Sequence, residues 1–221
     1  MSEPPVIAID GPSASGKGTV AQLVAGELGF HYLNSGALYR LVALSVVRNG
    51  IETSDEARAA VFAAQLPTPR FEGEEILLDG KPVAQAIRTE QVSAAASFVA
   101  ALPKVRQALL ERQHAFRRPP GLVAEGRDMG SVVFPDAGLK VFLTASPEAR
   151  AERRLKQLKA QGIAATLAAL LQDLRDRDAR DATRSVAPLK QSPGARLLDT
   201  TSMSAEQAAA QIVGWYRRAN G

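Results

Sequence analysis

The stretch "GPSASGKGT", residues 11–19, places three glycines and a lysine where a chain can wrap around an anion. With no side chains at Gly11, Gly16 and Gly18, backbone N–H groups can close on phosphate oxygens, and Lys17 would reach the β- and γ-phosphates of a nucleotide. Gly11, Gly16 and Lys17 fit the phosphate-loop pattern G-x-x-x-x-G-K-[S/T], whose last residue carries a hydroxyl for Mg²⁺. Here that position is Gly18, and the hydroxyl arrives one residue late at Thr19. Either Thr19 takes a related role, or phosphates and water hold the metal, an arrangement Mg²⁺ tolerates well. The bland alternative is a glycine-rich turn with an exposed lysine.

Three further clusters could meet anions. In "NSGALYR" (34–40), Ser35 is expected at a helix N-cap with Arg40 about a turn and a half along, a plausible second phosphate cradle. "EGRDMGSVVFPDA" (125–137) sets Arg127 and Asp128 just past a strand, as site residues or as a structural salt bridge. In "DLRDRDARDATR" (173–184), a helix would align Arg177, Asp181 and Arg184 at i, i+4 and i+7. Most such runs are solvated helix faces, yet two nucleotides meeting around a phosphoryl group need several cationic partners. The sequence has neither an Asn-Lys-x-Asp motif nor an apolar strand ending in Asp at Walker B distance, which argues against a GTPase or motor ATPase.

The elements that would position these residues follow from periodicity. "VIAID" (6–10) reads as a buried strand, and Val20, Leu23, Val24 and Leu28 recur at helical spacing from Lys17 to about Leu28. Strand, glycine loop and helix is the context a phosphate loop requires. A short strand at 31–33 precedes a helix ended by Asn49-Gly50. Residues 66–87 alternate extended segments with Glu-Gly and Asp-Gly turns, predicting a small antiparallel excursion. Helices near 89–99 and 103–117, strands at 121–128 and 139–146, a charged helix from Pro147 broken near Gly162, and a helix near 165–182 follow. A last strand (196–201) and a helix (204–219) capped by Ser204 and Gln207 complete the chain. Buried strands separated by helices predict an α/β fold with a parallel five-stranded sheet, and ligands at its carboxyl ends.

Composition narrows the function. Of 221 residues, 46% are apolar and 23% charged, ordinary for a soluble domain, and no apolar run is long enough to cross a bilayer. The opening "MSEPPVIAIDG" does not read as a signal peptide, so a cytoplasmic location is expected. With no cysteine there is no disulfide, thiolate zinc site or cysteine nucleophile. The net charge is +4, but the arginines at 150, 153, 154, 175, 177, 180 and 184 alternate with aspartates at 173, 176, 178 and 181. Only 5% of residues are aromatic, and none lies between Phe142 and Trp215, so small anionic ligands fit better than a nucleic acid. With no heptad or interface stripe, a monomer is the default.

Taken in order, "GPSASGKGT", "NSGALYR", "EGRDMGSVVFPDA", "RDARDATR" and "VAPLK" resemble the bacterial cytidylate kinases, over about residues 6–218. The resemblance implies a P-loop kinase fold in a single domain: a core (about 1–34, 120–147 and 185–221), a nucleoside-monophosphate-binding arm (about 35–119) and a helical lid (about 148–184). The excursion at 66–87 falls where the bacterial insert in that arm belongs. The implied reaction moves the γ-phosphate of ATP to CMP or dCMP, with Mg²⁺ and without nucleic acid or membrane. By the same resemblance Gly11, Pro12, Ser13, Ala14, Ser15, Gly16, Lys17, Gly18 and Thr19 would bind the ATP phosphates. Ser35, Arg40, Arg127 and Arg184 would surround the CMP phosphate; Ser97, Arg106 and Asp128 would recognise cytosine; Arg177 and Asp181 would take the pentose. Lys17, Arg127 and Arg184 would be catalytic, with no side chain assigned to the metal, and one of Arg150, Arg153 and Arg154 would close over the transferring group. Asn34 stands where many relatives carry aspartate. The competing readings are another small-molecule kinase of this fold, for adenylate or shikimate, and a nucleotide-dependent regulator or nucleic-acid-binding P-loop protein.

Overall fold

Every second side chain of the first strand, β1 (Val6–Asp10), enters a different core: Val6 and Ala8 one, Ile7 and Ile9 the other. A strand buried on both faces must lie inside a sheet covered by helices on either side. The computed structural model describes residues 3–73, 75–160, 162–184 and 186–220, the last of these by its backbone. In chain order β1 is followed by α1 (Lys17–Leu28), β2 (His31–Asn34), α2 (Ser35–Arg48) and α3 (Glu56–Gln65). Three short strands, β3 (Arg70–Glu72), β4 (Glu75–Leu78) and β5 (Lys81–Pro82), lead to α4 (Ala84–Ile87), α5 (Glu90–Val99) and α6 (Pro103–His114). The chain then returns as β6 (Leu122–Gly126), one π-type turn (Met129–Val133), β7 (Leu139–Thr144), α7 (Pro147–Ala160), α8 (Leu167–Thr183), β8 (Arg196–Asp199) and α9 (Ala205–Asn220).

The large sheet is parallel and five-stranded, in the order β2-β6-β1-β7-β8. Helices α1 and α9 cover the face bearing Ile7 and Ile9, with Val20, Val24 and Ile212 fully buried or nearly so. Helices α2, α3, α5 and α6 build the opposite core around Leu38, Leu41, Val105, Leu109 and Phe134. The antiparallel sheet β3-β4-β5 packs back through Phe71, whose ring meets Tyr32 edge-on at 5.7 Å. Helices α7 and α8 share a small core of their own, Ala151, Leu158, Leu170 and Leu174.

Most predicted elements appear within a few residues, including the Ser204–Gln207 capping box, in which the Ser204 N–H donates to Gln207 Oε1 (2.9 Å) and the Gln207 N–H to Ser204 Oγ (3.2 Å). The antiparallel excursion is shorter than expected, because Ala84–Ile87 turns into a helix. Helix α3 was not expected, and neither was the π-type turn. The α3 stretch, "EARAAVFAAQ", is alanine-rich: Ala59 and Ala63 are buried, Phe62 packs against the same core, and Val61 is exposed.

Candidate active site

The phosphate loop joins the carboxyl end of β1 to the start of α1. Gly11 is compulsory: a Cβ there would stand 2.0 Å from the carbonyl oxygen of Leu143 on β7. The loop turns through left-handed conformations at Ala14 (φ 57°) and Gly16 (φ 91°). Gly16 caps α1 without a side-chain bond, so the first N–H groups of the helix face the loop's hollow. Ala14, Gly16, Lys17, Gly18 and Thr19 line a cleft of about 520 Å³, while Pro12 lies buried beneath. Ser15 presents a buried hydroxyl with no hydrogen-bond partner among the described residues. Thr19, offered as the late hydroxyl, is exposed at the mouth.

Lys17 Nζ donates to Pro12 O (3.3 Å) and lies 3.8 Å from Glu125. Burial, then the charge of Arg127, draws its pKa down to about 7, although Glu125 pulls the other way. Glu125, at the end of β6, also accepts from Tyr32 OH at 3.0 Å. Sequence reasoning missed it by asking for an aspartate at a strand end. The visible signal was a glutamate closing the apolar run of "GLVAEG".

Across the cleft, helix α2 does not begin as predicted. Asn34, not Ser35, is the N-cap, accepting from the Ala37 N–H at 2.9 Å. Its amide oxygen reaches that N–H from extended backbone, which leaves Ser35 as the first helical residue. Ser35 Oγ instead donates to Gln113 Oε1 at 2.7 Å, a buried pair between α2 and α6. Arg40 extends from the same helix and donates to Ile87 O (3.0 Å) and Ser93 Oγ (2.8 Å). Burial, followed by the charges of Arg177, Arg154 and Arg127, lowers its pKa to about 9. With Arg88, five guanidiniums therefore press on one space.

Arg127 and Asp128 do not pair with one another; each is claimed from elsewhere. Arg127 Nε donates to Asp181 Oδ2 (2.8 Å) and its Nη2 to Ser13 Oγ (2.8 Å). Asp128, 3% exposed, takes a short hydrogen bond from Arg106 Nη2, and Arg184 Nη2 stands 3.9 Å from its other oxygen. Arg177, Asp181 and Arg184 turn into the cleft as the i, i+4, i+7 spacing requires, while Arg180 lies over the ring of Phe98 at 5.8 Å. Burial works to raise the Asp181 carboxyl, but Arg127, by charge and hydrogen bond, together with Arg177 and Arg184 holds it below the usual range. Burial, then Arg127, lowers Arg177 to about 10. Ser97 Oγ, Arg177 Nε and Arg184 Nη2 are all buried without hydrogen-bond partners among the described residues. Buried polar atoms are rarely left so, and three in one cleft mark a place built for polar ligands.

The three arginines of α7 have separate partners. Arg150, buried, donates to Ala145 O (3.1 Å), Ser13 O (3.2 Å) and Asp178 (2.6 Å), tying α7 to the phosphate loop and α8. Arg153 donates to Ser15 O at 3.0 Å and to the main chain of Thr200. Arg154 alone faces the cleft mouth, bridging to Glu90 on α5 at 3.2 Å. Periodicity could not separate these roles, because all three sit on one helix and differ only in what lies opposite. A second cavity, about 480 Å³, opens beside the loop between Arg153, Gln157, Thr200, Met203 and Ala208.

The cytidylate kinase family profile matches residues 7–218. A cytidylate kinase of Polynucleobacter asymbioticus is 55% identical over 219 residues, 99% of each chain. One from Chromobacterium violaceum is 58% identical over 212 residues, 96% of this chain and 95% of its own. Among solved structures, a gluconokinase from Sinorhizobium meliloti 1021 shares the fold at 16% identity (TM-score 0.50, covering 100% of this chain and 96% of its own). A protein from Eubacterium ventriosum does so at 14% (TM-score 0.51, covering 98% and 99%). By profile and by identity along nearly its whole length, the chain belongs to the cytidylate kinase family.

Proposed function

We propose that the two sides of the cleft hold ATP and a cytidine monophosphate, and that the γ-phosphoryl group passes from the first to CMP or dCMP. The observation that carries this reading is the buried carboxylate of Asp128 set among Arg106 and Arg184, facing a phosphate loop across one cleft. A carboxylate accepts from the exocyclic amine of cytosine and would repel the carbonyl of uracil at that edge, while Arg106 and the free hydroxyl of Ser97 suit the ring's acceptors. Arg40, Arg127 and Arg184 would hold the acceptor's phosphate with Ser35 below it, Arg177 and Asp181 the pentose, and residues 11–19 the triphosphate. The second cavity, lined by Thr200 and Met203, suits the base of ATP. Residues about 35–119 would act as the acceptor arm and about 148–184 as the lid, against a core of the remainder.

The step balances without a side-chain base. A phosphate oxygen of CMP bonds to the γ-phosphorus as the bond to the β-bridging oxygen breaks, and CDP and ADP leave with no proton exchanged. Alignment, charge neutralisation and exclusion of water would supply the rate. Lys17 and Arg154 would face the transferring group, and Arg127 would keep the acceptor in line. When bound, Mg²⁺ neutralises charge on the donor's phosphates. The residues present fit it in one respect: the buried carboxylate of Glu125 stands beside the loop, 3.8 Å from Lys17 Nζ, and offers hard oxygen.

A coupled assay of ADP release against CMP, dCMP, UMP, AMP and shikimate tests the reading. CMP and dCMP should lead; preference for another acceptor would replace it with a different kinase. Acceptor-independent ADP release with salt-sensitive oligonucleotide binding would favour the regulator.

A further inference from the structure

The turn between α4 and α5 brings to the cleft a guanidinium that none of the duties above employs. Arg88 is the C-cap of α4, half-buried, and it lines the cleft together with Arg40 and Ser93. Its neighbours in the chain serve other arginines: the Ile87 carbonyl accepts from Arg40 at 3.0 Å, and Glu90 bridges to Arg154 at 3.2 Å. The short turn 87–90 thus meets Arg40 and Arg154 and carries Arg88 itself. The charge of Arg88 reaches Arg40, whose pKa is depressed to about 9 by burial first and then by Arg177, Arg154, Arg127 and Arg88. Like charges crowded into one cleft cost free energy until an anion enters.

The arginines assigned to the acceptor's phosphate already spend donors on the protein. All three nitrogens of Arg127 donate, to Asp181, Gly126 O and Ser13 Oγ. Arg40 gives Nη1 to Ile87 O and Ser93 Oγ, and Arg184 gives Nε to Ala187 O. A phosphate monoester brings close to two negative charges and three acceptor oxygens. Between α2 and β6 the described cleft lining holds two further guanidiniums, Arg106, which is paired to Asp128, and Arg88. We propose that Arg88 is a further ligand of the acceptor's phosphate, working beside Arg40. The proposal rests on the nucleotide-kinase reading above and adds a phosphate-binding residue to it. The rival duty for Arg88 is to hold the turn in shape, and the two duties separate when the ligand is tried with and without its phosphate.

Cytidine, which lacks the phosphate, is the control, and NMR titrations give the affinities of CMP and cytidine for the wild type and for Arg88→Gln. The variant loses charge-assisted hydrogen bonds, so it should bind CMP about tenfold or more weakly and cytidine within about twofold of wild type. Unchanged CMP affinity overturns the proposal. So does an equal loss for cytidine, since Arg88 would then merely shape the turn. Should Arg88→Gln fail to fold, Arg88→Lys keeps the charge without the fork and should lose about threefold or more for CMP alone. A lysine variant that binds CMP as the wild type does overturns the proposal equally. Wild-type turnover with CMP is recorded alongside: its absence strikes the kinase reading, whereas normal turnover with unaltered CMP binding in the variant strikes only the role of Arg88.

Discussion

Arg127 Nη2 donates to Ser13 Oγ at 2.8 Å, so a guanidinium assigned to the acceptor's phosphate rests on the loop assigned to the donor. Its Nε is engaged at the same time by Asp181 of α8, also at 2.8 Å. One side chain thereby touches the phosphate loop and helix α8 from the end of β6, and its fork geometry is what allows both contacts. Lysine has the charge but not the fork. Arg127→Lys should raise the CMP Michaelis constant about tenfold or more, and Asp181→Ala in that background should add less than it does in wild type. Steady-state kinetics of the two single variants and the double variant measure this; additive effects would mean that the two residues act separately.

Lys17 carries a pH signature. Burial first, and Arg127 second, bring its pKa from 10.5 to about 7. Between those values the unfolded chain binds the proton that the folded chain has released, so this group's contribution to stability rises as pH climbs from about 7. A bound triphosphate favours the charged form and must draw that proton back. ATP binding at about pH 8 should therefore take up close to one proton, seen as a dependence of calorimetric heat on the buffer's ionisation enthalpy. Lys17→Met should abolish both the uptake and the transfer. Buffer-independent heats in the wild type would count against the assignment.

The glycines and arginines of the cleft were legible in the sequence because their spacing carries chemistry. Gly11, Gly16 and Lys17 announce an anion, and the i, i+4, i+7 spacing of Arg177, Asp181 and Arg184 sets one shared helix face. Neither Gln113 under Ser35 nor Ser93 under Arg40 could be read, since each lies more than 50 residues from its partner and meets it only through the packing of α5 and α6 on α2. The N-cap was misplaced by one residue because Asn34 and Ser35 are both good caps, and strand β2 extends far enough to settle the choice. Helix α3 escaped because its large apolar residues, Val61 and Phe62, are adjacent and set no helical period, while the alanines around them carry almost no hydrophobic contrast.

Asp10 illustrates a second hidden duty. Its two oxygens accept from the consecutive N–H groups of Met129 (2.8 Å) and Gly130 (2.9 Å), fixing the segment that carries Arg127 and Asp128 to the end of β1. Burial, partly offset by those two bonds, raises its pKa to about 6. An amide has only one accepting oxygen, and its NH₂ would face an N–H. Asp10→Asn should cost about 1–3 kcal/mol of stability in denaturant unfolding. It should raise the Michaelis constant for CMP more than that for ATP, and equal rises would show that the loss is merely structural.

Asp128 provides the sharpest test of base selection. Its carboxylate is buried against Arg106, with Arg184 at 3.9 Å, so replacement removes the charge that balances two guanidiniums. Loss of one partner from a buried pair destabilises by about 3–5 kcal/mol, and Asp128→Ala should lose CMP turnover partly through lost fold. Asp128→Asn is the better probe, because its amide can present a donor where the carboxylate offers only acceptors. Uracil has a carbonyl at the position where cytosine has an amine, so the variant should use UMP better relative to CMP. The ratio of the two kcat/KM values, CMP over UMP, should fall about tenfold or more. Both values come from the same preparation, so any shortage of folded enzyme cancels. An unchanged ratio would therefore mean that Asp128 holds the arginines in place and does not read the base.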